Sequence, residues 1–318
     1  MNALRRTALL AGLITGLASG AAAFAAADDP APATGRTPDP YLGSWVLSID
    51  GAPAGAVTTV DGCNVGGRVL THAGPSGPSK TLGVVTPARC SFEFGQDMSP
   101  QLYAWISDEL ARTGGPRKLE LARVDGKATL YAFELTGTRL SELTLPKVQR
   151  TSGAAVLLKA TVAPERIRRI KPLGARAAQS AVIGFAPSQV AATLGATPLG
   201  VDTIGPFTAS VQMAEPLGER RQPASIPGQV ELSNLPLRAP DVSAATQLDP
   251  WLHSFVVDGH STDADERPLT ISLGGGAKTK GVDIVMPKTG FVAGDLAARG
   301  DGNRGYELYT ESVSLAVR

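Results

Sequence analysis

Two glycine-rich stretches carry the letters of nucleotide-binding loops without their flanks. Gly300-Asp301-Gly302-Asn303-Arg304-Gly305 fits GxGxxG, a pattern that needs a strand before it and a helix after it, so that the helix N-terminus meets a phosphate. Its C-terminal flank, Tyr306-Glu307-Leu308-Tyr309, alternates as a strand does, so the glycines are read as supplying positive φ in a loop or hairpin. Gly274-Gly275-Gly276-Ala277-Lys278-Thr279 lacks the Gly-Lys-Ser/Thr order that wraps amides around a phosphate and is read as a turn. His72, His253 and His260 are the only histidines; none has HExxH spacing, and no GxSxG elbow exists to activate a serine. Asp258, Asp263, Asp265 and Glu266 lack the spacing and turn glycine of a calcium loop and read as a solvated acidic loop. No catalytic residue, cofactor or metal ligand is therefore assigned, and a hydrolase built on scattered carboxylates is the least favoured function.

The two cysteines, Cys63 and Cys90, lie in the first half without a CxxC or Cys/His cluster. That pattern speaks against redox catalysis and structural zinc, and fits one disulfide in an oxidising compartment. The alternative is two separate buried thiols. The start of the chain points to that compartment: Arg5 and Arg6 precede a small, apolar run from Ala8 to Ala18, followed by the A-x-A sites Ala23-Phe24-Ala25 and Ala25-Ala26-Ala27. Residues 1–27 are read as a cleavable signal peptide and 28–40, which are rich in proline, as a flexible leader. The protein is thus expected to be exported, to a periplasmic or extracellular location, with no membrane attachment after cleavage. Paired arginines leave the twin-arginine route as a minor option.

The elements that would position any site are mainly strands. Hydrophobic residues make up 43% of the 318, enough for a core, and 36 glycines with 24 prolines imply many turns. A net charge of +1, which becomes −1 on removal of Arg5 and Arg6, offers no footprint for nucleic acid. Trp45-Val46-Leu47-Ser48-Ile49 reads as a strand ending at the turn Asp50-Gly51. Residues 64–79, rich in Gly and Pro, read as an extended loop or floppy hairpin. Cys90 to Phe94 alternates as a strand, and Ser99-Pro100 opens a short helix with Leu102, Trp105, Ile106 and Leu110 on one face. Strands are expected over 118–124, 130–135 and 155–162. Residues 164–203, with Arg166, Arg168, Arg169, Lys171 and Arg176, read as a connector with a short helix near 189–194.

The second half repeats this order at low identity. Phe207 to Val211 is set beside Trp45 to Ile49, and Asp249 to Phe255 beside Gln101 to Ser107, aligning Trp251 with Trp105. Leu269 to Leu273, Val282 to Met286 and Tyr306 to Val313 continue the parallel as strands. A repeat of about 150 residues is a domain duplication rather than a solenoid. The alternative is coincidence between two β-rich halves. The expected organisation is a β domain over 41–163, the connector 164–203, and a second β domain over 204–318, with Trp45, Trp105 and Trp251 as core.

The order over residues 41–167 resembles the tail-tube family of contractile phages and related injection machines. The resemblance rests on Trp45 to Gly51 with Val57 to Gly62, on Phe92-Glu93-Phe94-Gly95 leading to Met98-Ser99 and Leu102 to Ile106, and on Ile167 after Pro164-Glu165. It implies a β-barrel or paired-sheet domain with one helix, six of which form a ring that stacks into a tube. A chain holding two such domains would close a pseudo-hexameric ring from three copies. The leading reading is accordingly an exported, non-enzymatic structural protein that self-assembles, with other tail-like or cell-surface components as further partners. The competing reading is an exported module whose exposed aromatic residues and loops bind a glycan or a protein. The mature N-terminus is expected between Phe24 and Asp28, and intact-mass analysis of the exported protein finding Met1 still attached would refute this.

Overall fold

Alternating side chains send neighbours to opposite faces of a strand, and this pattern builds the first barrel. The structure is a computed structural model that describes residues 44–74, 77–125, 128–171, 182–214, 226–274 and 281–318. The expected signal peptide and leader lie outside the described residues, as does nearly all of the Gly274 to Thr279 loop. Strand β1 (Ser44–Ile49) passes into β2 (Ala52–Gly62) through Asp50 and Gly51, at φ 50° and 86°, the left-handed pair a two-residue hairpin needs. β3 (Val65–Gly74) and β4 (Gly77–Pro87) form a separate hairpin, and β5 (Cys90–Phe94) leads to helix α1 (Pro100–Leu110). After the helix come β6 (Arg117–Asp125), β7 (Ala128–Leu145), β8 (Val148–Gln149), β9 (Leu158–Ala163) and β10 (Arg166–Ile170). Pairing runs β7-β6-β1-β2-β5-β9 and returns from β9 to β7, so the strands close into a barrel.

The helix forms because proline suits its first turn and because Leu102, Trp105, Ile106 and Leu110 share one buried face. Ser99 stands at the N-cap with extended backbone, but its hydroxyl makes no cap bond. Instead its N–H donates to the Ala54 carbonyl at 2.6 Å, tying the helix start to β2.

The second barrel uses β11 (Ala191–Leu194), β12 (Thr197–Leu199), β13 (Thr203–Ile204), β14 (Phe207–Ala214), β15 (Ile226–Leu232) and β16 (Leu235–Pro240). A helical segment of α and π turns fills 241–257, and after it come β17 (Arg267–Leu273), β18 (Val282–Gly294), β19 (Asn303–Thr310) and β20 (Ser314–Val317). Pairing runs β12-β11-β17-β18-β19-β16-β13. Since β12 and β13 are successive pieces of one stretch, this circle closes too. Element by element the order matches the first barrel: β11 stands for β1, β12 and β13 for β2, β14 and β15 for β3 and β4, β16 for β5. After the helix, β17, β18, β19 and β20 stand for β6, β7, β9 and β10. The correspondence reaches single residues. Pro53-Ala54-Gly55 has its counterpart in Pro198-Leu199-Gly200, and a Cβ added at Gly55 would strike Met98 as one at Gly200 would strike Ser243, each beside the start of its helix.

The architecture is mainly β, with two barrels and one helical segment in each. The two barrels lie within one compact unit, Pro40–Arg318, and share one continuous apolar core. Several local readings are corrected. Residues 64–79 follow the hairpin reading and not the loop: Val65–Gly74 pairs with Gly77–Pro87 as the long β3–β4 hairpin, because cross-strand pairing satisfies the backbone whatever the glycine content. Residues 164–203 are not a bare connector. β10 pairs with β7, Val190 and Ala192 are buried, and β11, β12 and β13 already belong to the second barrel. The short helix expected near 189–194 is a single 3-10 turn, Pro187–Gln189, running into β11. Phe207 to Val211 corresponds to β3 rather than to β1.

Trp105 and Trp251 lie on their respective helices, each about 2% exposed, whereas Trp45 is half-buried on the barrel surface against Tyr131 and Phe133. Trp251 donates its indole N–H to the Asp265 carbonyl at 3.2 Å, while the Trp105 N–H has no hydrogen-bond partner. Truncating either to Ala is expected to cost about 3–5 kcal/mol through the cavity left. Trp105→Phe should cost about 1 kcal/mol less than Trp251→Phe, because only the latter breaks a hydrogen bond. Equal losses in urea titrations of the two Phe variants would contradict this.

Candidate assembly interface

Strand β7 is the longest among the described residues and has neighbours on both edges along most of its length. Its first half lies between β6 and β10. Its second half pairs with β9 on one edge, and the other edge takes a strand from the second barrel: Phe207, Thr208, Ala209 and Ser210 of β14 face Leu145, Thr144, Leu143 and Glu142. The β14–β15 hairpin thereby extends the sheet of the first barrel outward. Two further contacts join the barrels. β8 pairs with β13, and α1 packs against β20, where the Ser107 hydroxyl donates to the Leu315 carbonyl and accepts from the Leu315 N–H, both at 2.8 Å.

This contact uses different parts of the two barrels. The first gives the end of α1 and the second half of β7; the second gives the arm β14–β15 and strand β20. The counterparts of all four exist in the chain, and among the described residues they do not make this contact with one another. β18 pairs with β17 and β20 over its first half but only with β19 from Gly290 to Gly294 among the described residues. The arm β3–β4 is a sheet of its own. Exposure follows the same division. Leu145 is 1% exposed but its counterpart Leu296 is 71% exposed, and Ala209 is 0% exposed but its counterpart Val65 is 50% exposed. Of the twelve exposed large hydrophobic residues among those described, nine lie on these surfaces: Val65, Val69, Leu70, Leu82 and Val85 on the arm, and Val256, Val257, Val292 and Leu296 at the end of the second helix and of β18.

The Cys63–Cys90 disulfide sits at the base of the β3–β4 arm, with Cα atoms 4.5 Å apart and both residues buried. Ion pairs on buried carboxylates brace the strands and helix that carry the contact. Glu109, at the end of α1, meets Arg139 of β7 at 3.0 Å; burial raises its carboxyl pKa, and the guanidinium opposes that shift. Glu134 of β7 is held by Arg168 of β10 and by Lys118 of β6 at 2.6 Å, and these hydrogen bonds, with Arg168 contributing most, depress its pKa below the ordinary 4.5.

No chemistry collects elsewhere among the described residues. His72 bonds Thr81 on the arm, His253 meets Asp258, and His260 meets Ser254, all exposed. Asp263, Glu266 and Glu311 approach one another, yet each already has a donor: Lys288 serves Asp263 at 2.7 Å and Glu311 at 3.2 Å, and the Tyr309 hydroxyl serves Glu266 at 2.7 Å. Burial and that carboxylate push the Tyr309 hydroxyl up to about 12. Asp265 accepts hydrogen bonds from the Thr262 N–H and hydroxyl. Gly300 and Gly302 turn the chain into β19, as the alternating Tyr306 to Tyr309 implies. The β14–β7 pairing carries no signal in the sequence, because nothing local distinguishes a strand that joins a distant barrel.

No protein-family model matches the chain, and no curated protein does. Among solved structures, the chain is similar to the sheath/tube terminator of an extracellular contractile injection system, at 15% identity and a TM-score of 0.38, covering 44% of this chain and 100% of that one. It is also similar to the sheath-tube complex of that system, at 15% identity and a TM-score of 0.35, covering 40% of this chain and 87% of that one. The third is the tube-terminating cap of the anti-feeding prophage, at 14% identity and a TM-score of 0.36, covering 40% of this chain and 88% of that one.

Because the folded pKa of Glu134 lies below its unfolded value, its stabilising effect is present above the unfolded value and is lost as pH falls through the folded one. Glu134→Gln is therefore expected to lower the urea midpoint at neutral pH, with the gap to wild type closing in acid. A gap that stays constant down to the acid transition would refute the assignment.

Proposed function

We propose that this protein is an exported, non-enzymatic structural subunit that assembles with copies of itself by repeating, between chains, the contact its own two barrels make. The observation that supports this reading is the unmatched complement: one end of the chain offers an apolar arm, the other an open strand edge, and each is the counterpart of a surface that is buried inside the chain. Such a contact is heterologous, so it propagates until it closes a ring or continues as a filament. The tail-tube resemblance in the sequence makes a ring the expected closure, three chains supplying six barrels, with each barrel as one domain. Burial of Trp105 and Trp251 takes away two of the aromatic residues that a glycan-binding module would have used.

The chemistry of the surfaces agrees with assembly. An open, apolar strand edge is a liability on a monomer, because it pairs with any available strand, and a defined partner strand removes it. Native mass spectrometry of the mature chain is expected to give a closed multiple of the monomer, with three as the ring value. A species that stays monomeric at high micromolar concentration would overturn the reading.

A further inference from the structure

We infer that the β3–β4 arm of one copy docks as an added strand on the open edge of β18 in a second copy, with Gly66 opposite Ala293 and Val65 opposite Gly294. This rests on the self-assembly reading and fixes the partner and register of the surface involved. The register comes from two irregularities that the paired elements share. The β7–β9 ladder shifts between Leu140 and Glu142, and the β18–β19 ladder between Phe291 and Ala293, which equates Glu142 with Ala293 and Leu143 with Gly294. The β14–β15 hairpin shifts between Val211 and Met213, and the β3–β4 hairpin between Gly67 and Val69, which equates Ser210 with Gly66 and Ala209 with Val65. Within the chain, Ser210 faces Glu142 and Ala209 faces Leu143. Carrying that pairing over gives the intermolecular register directly.

Side chains on both surfaces fit the docking. Apolar contact between Val65, Val69 and Val85 on the arm and Val292 and Leu296 at the end of β18 would bury groups that are now in water. The same correspondence gives a second contact. The end of α1 packs on β20, so the end of the second copy's 241–257 helix is placed on β10 of the copy that supplies the arm. That strand carries Arg166, Arg168 and Arg169, all exposed, while the helix end carries Asp258 and leads into Asp263 and Asp265. The β10 side chains are basic and those at and beyond the helix end acidic, with Arg168 and Asp263 each already holding a partner within the chain. Complementary charge of this kind fixes which ends meet and speeds their encounter.

The double variant Gly66→Cys/Ala293→Cys tests the register, since both positions accept a side chain: a Cβ at Gly66 meets no atom within 4 Å, and Ala293 is exposed. Directly opposed antiparallel positions lie within disulfide reach. Mild oxidation is expected to give covalent multimers on non-reducing gels, with peptide mapping finding Gly66→Cys joined to Ala293→Cys between chains. Gly66→Cys/Leu130→Cys, which places the second thiol away from the proposed contact, should give no such ladder. Leu296→Asp should weaken association by about tenfold or more, read as the concentration at half assembly. Wild-type multimers in native mass spectra without the 66–293 linkage would overturn the docking mode and leave self-assembly standing. Absence of wild-type multimers would overturn both.

Discussion

A strand edge inside a protein has to find a partner for each backbone N–H and C=O, and this single requirement organises the chain. β7 meets it by accepting four strands, two on each half, with the fourth contributed by the other barrel. Its length reflects that duty, since a strand that closes one barrel and also receives another barrel's arm must extend past the point of closure. Gly137, at φ 63°, lies between the two halves, where Glu165 packs so closely that a Cβ would collide with it. The bulge at Ser141 then re-aims the second half. The barrels, the arms and the helix contact are arranged around the need to leave no part of this strand unpaired.

The same requirement explains the asymmetry between the halves of the chain. The first barrel has its edge filled by the second, whereas among the described residues no strand fills the corresponding edge of β18. Exposed valines and leucines therefore collect at the two ends of the chain rather than scattering over the surface. Scattered apolar residues on a surface need no explanation, but a clustered set with buried counterparts one repeat away does.

Some of this is legible in the residues. The helix at Pro100 is marked by a proline at its first position and four apolar residues on one face, and the same spacing places Trp251 on a helix. The strands β17, β18 and β19 are readable because alternation is a local property. The arm reads only as an extended loop or floppy hairpin because glycine and proline lower the local preference for strand, while cross-strand pairing, a non-local effect, restores it. β10 reads as a linker because Arg166, Arg168 and Arg169 have the composition of a solvated segment. In the fold Arg168 is a partner of Glu134, and the Arg169 guanidinium lies over the ring of Tyr131 at 4.7 Å. The candidate interface is the least legible part, since no residue type marks an edge. It becomes visible only when two copies of one fold are compared and the same surface is found buried in one and bare in the other.

That comparison also gives the disulfide a reason. In the second barrel the arm is held by its sheet pairing to β7, and the residues at its base, Gly205 and Pro236, are joined by a 2.8 Å backbone hydrogen bond. In the first barrel the equivalent backbone bond, from Cys63 to Arg89, is longer at 3.3 Å, and the arm it supports has no sheet to lean on within the chain. The covalent link between Cys63 and Cys90 spans this base and encloses the whole arm, its two ends 27 residues apart in sequence. Closing a loop of that size lowers the entropy of the unfolded chain by an amount equivalent to about 3 kcal/mol. It also limits how far the two strands can separate where they leave the barrel. Of the two arms, the cross-link stands at the one that joins no larger sheet among the described residues and is absent from the one that does. The cross-link thereby holds the arm in place, and a strand that docked on it would leave less conformational entropy to lose.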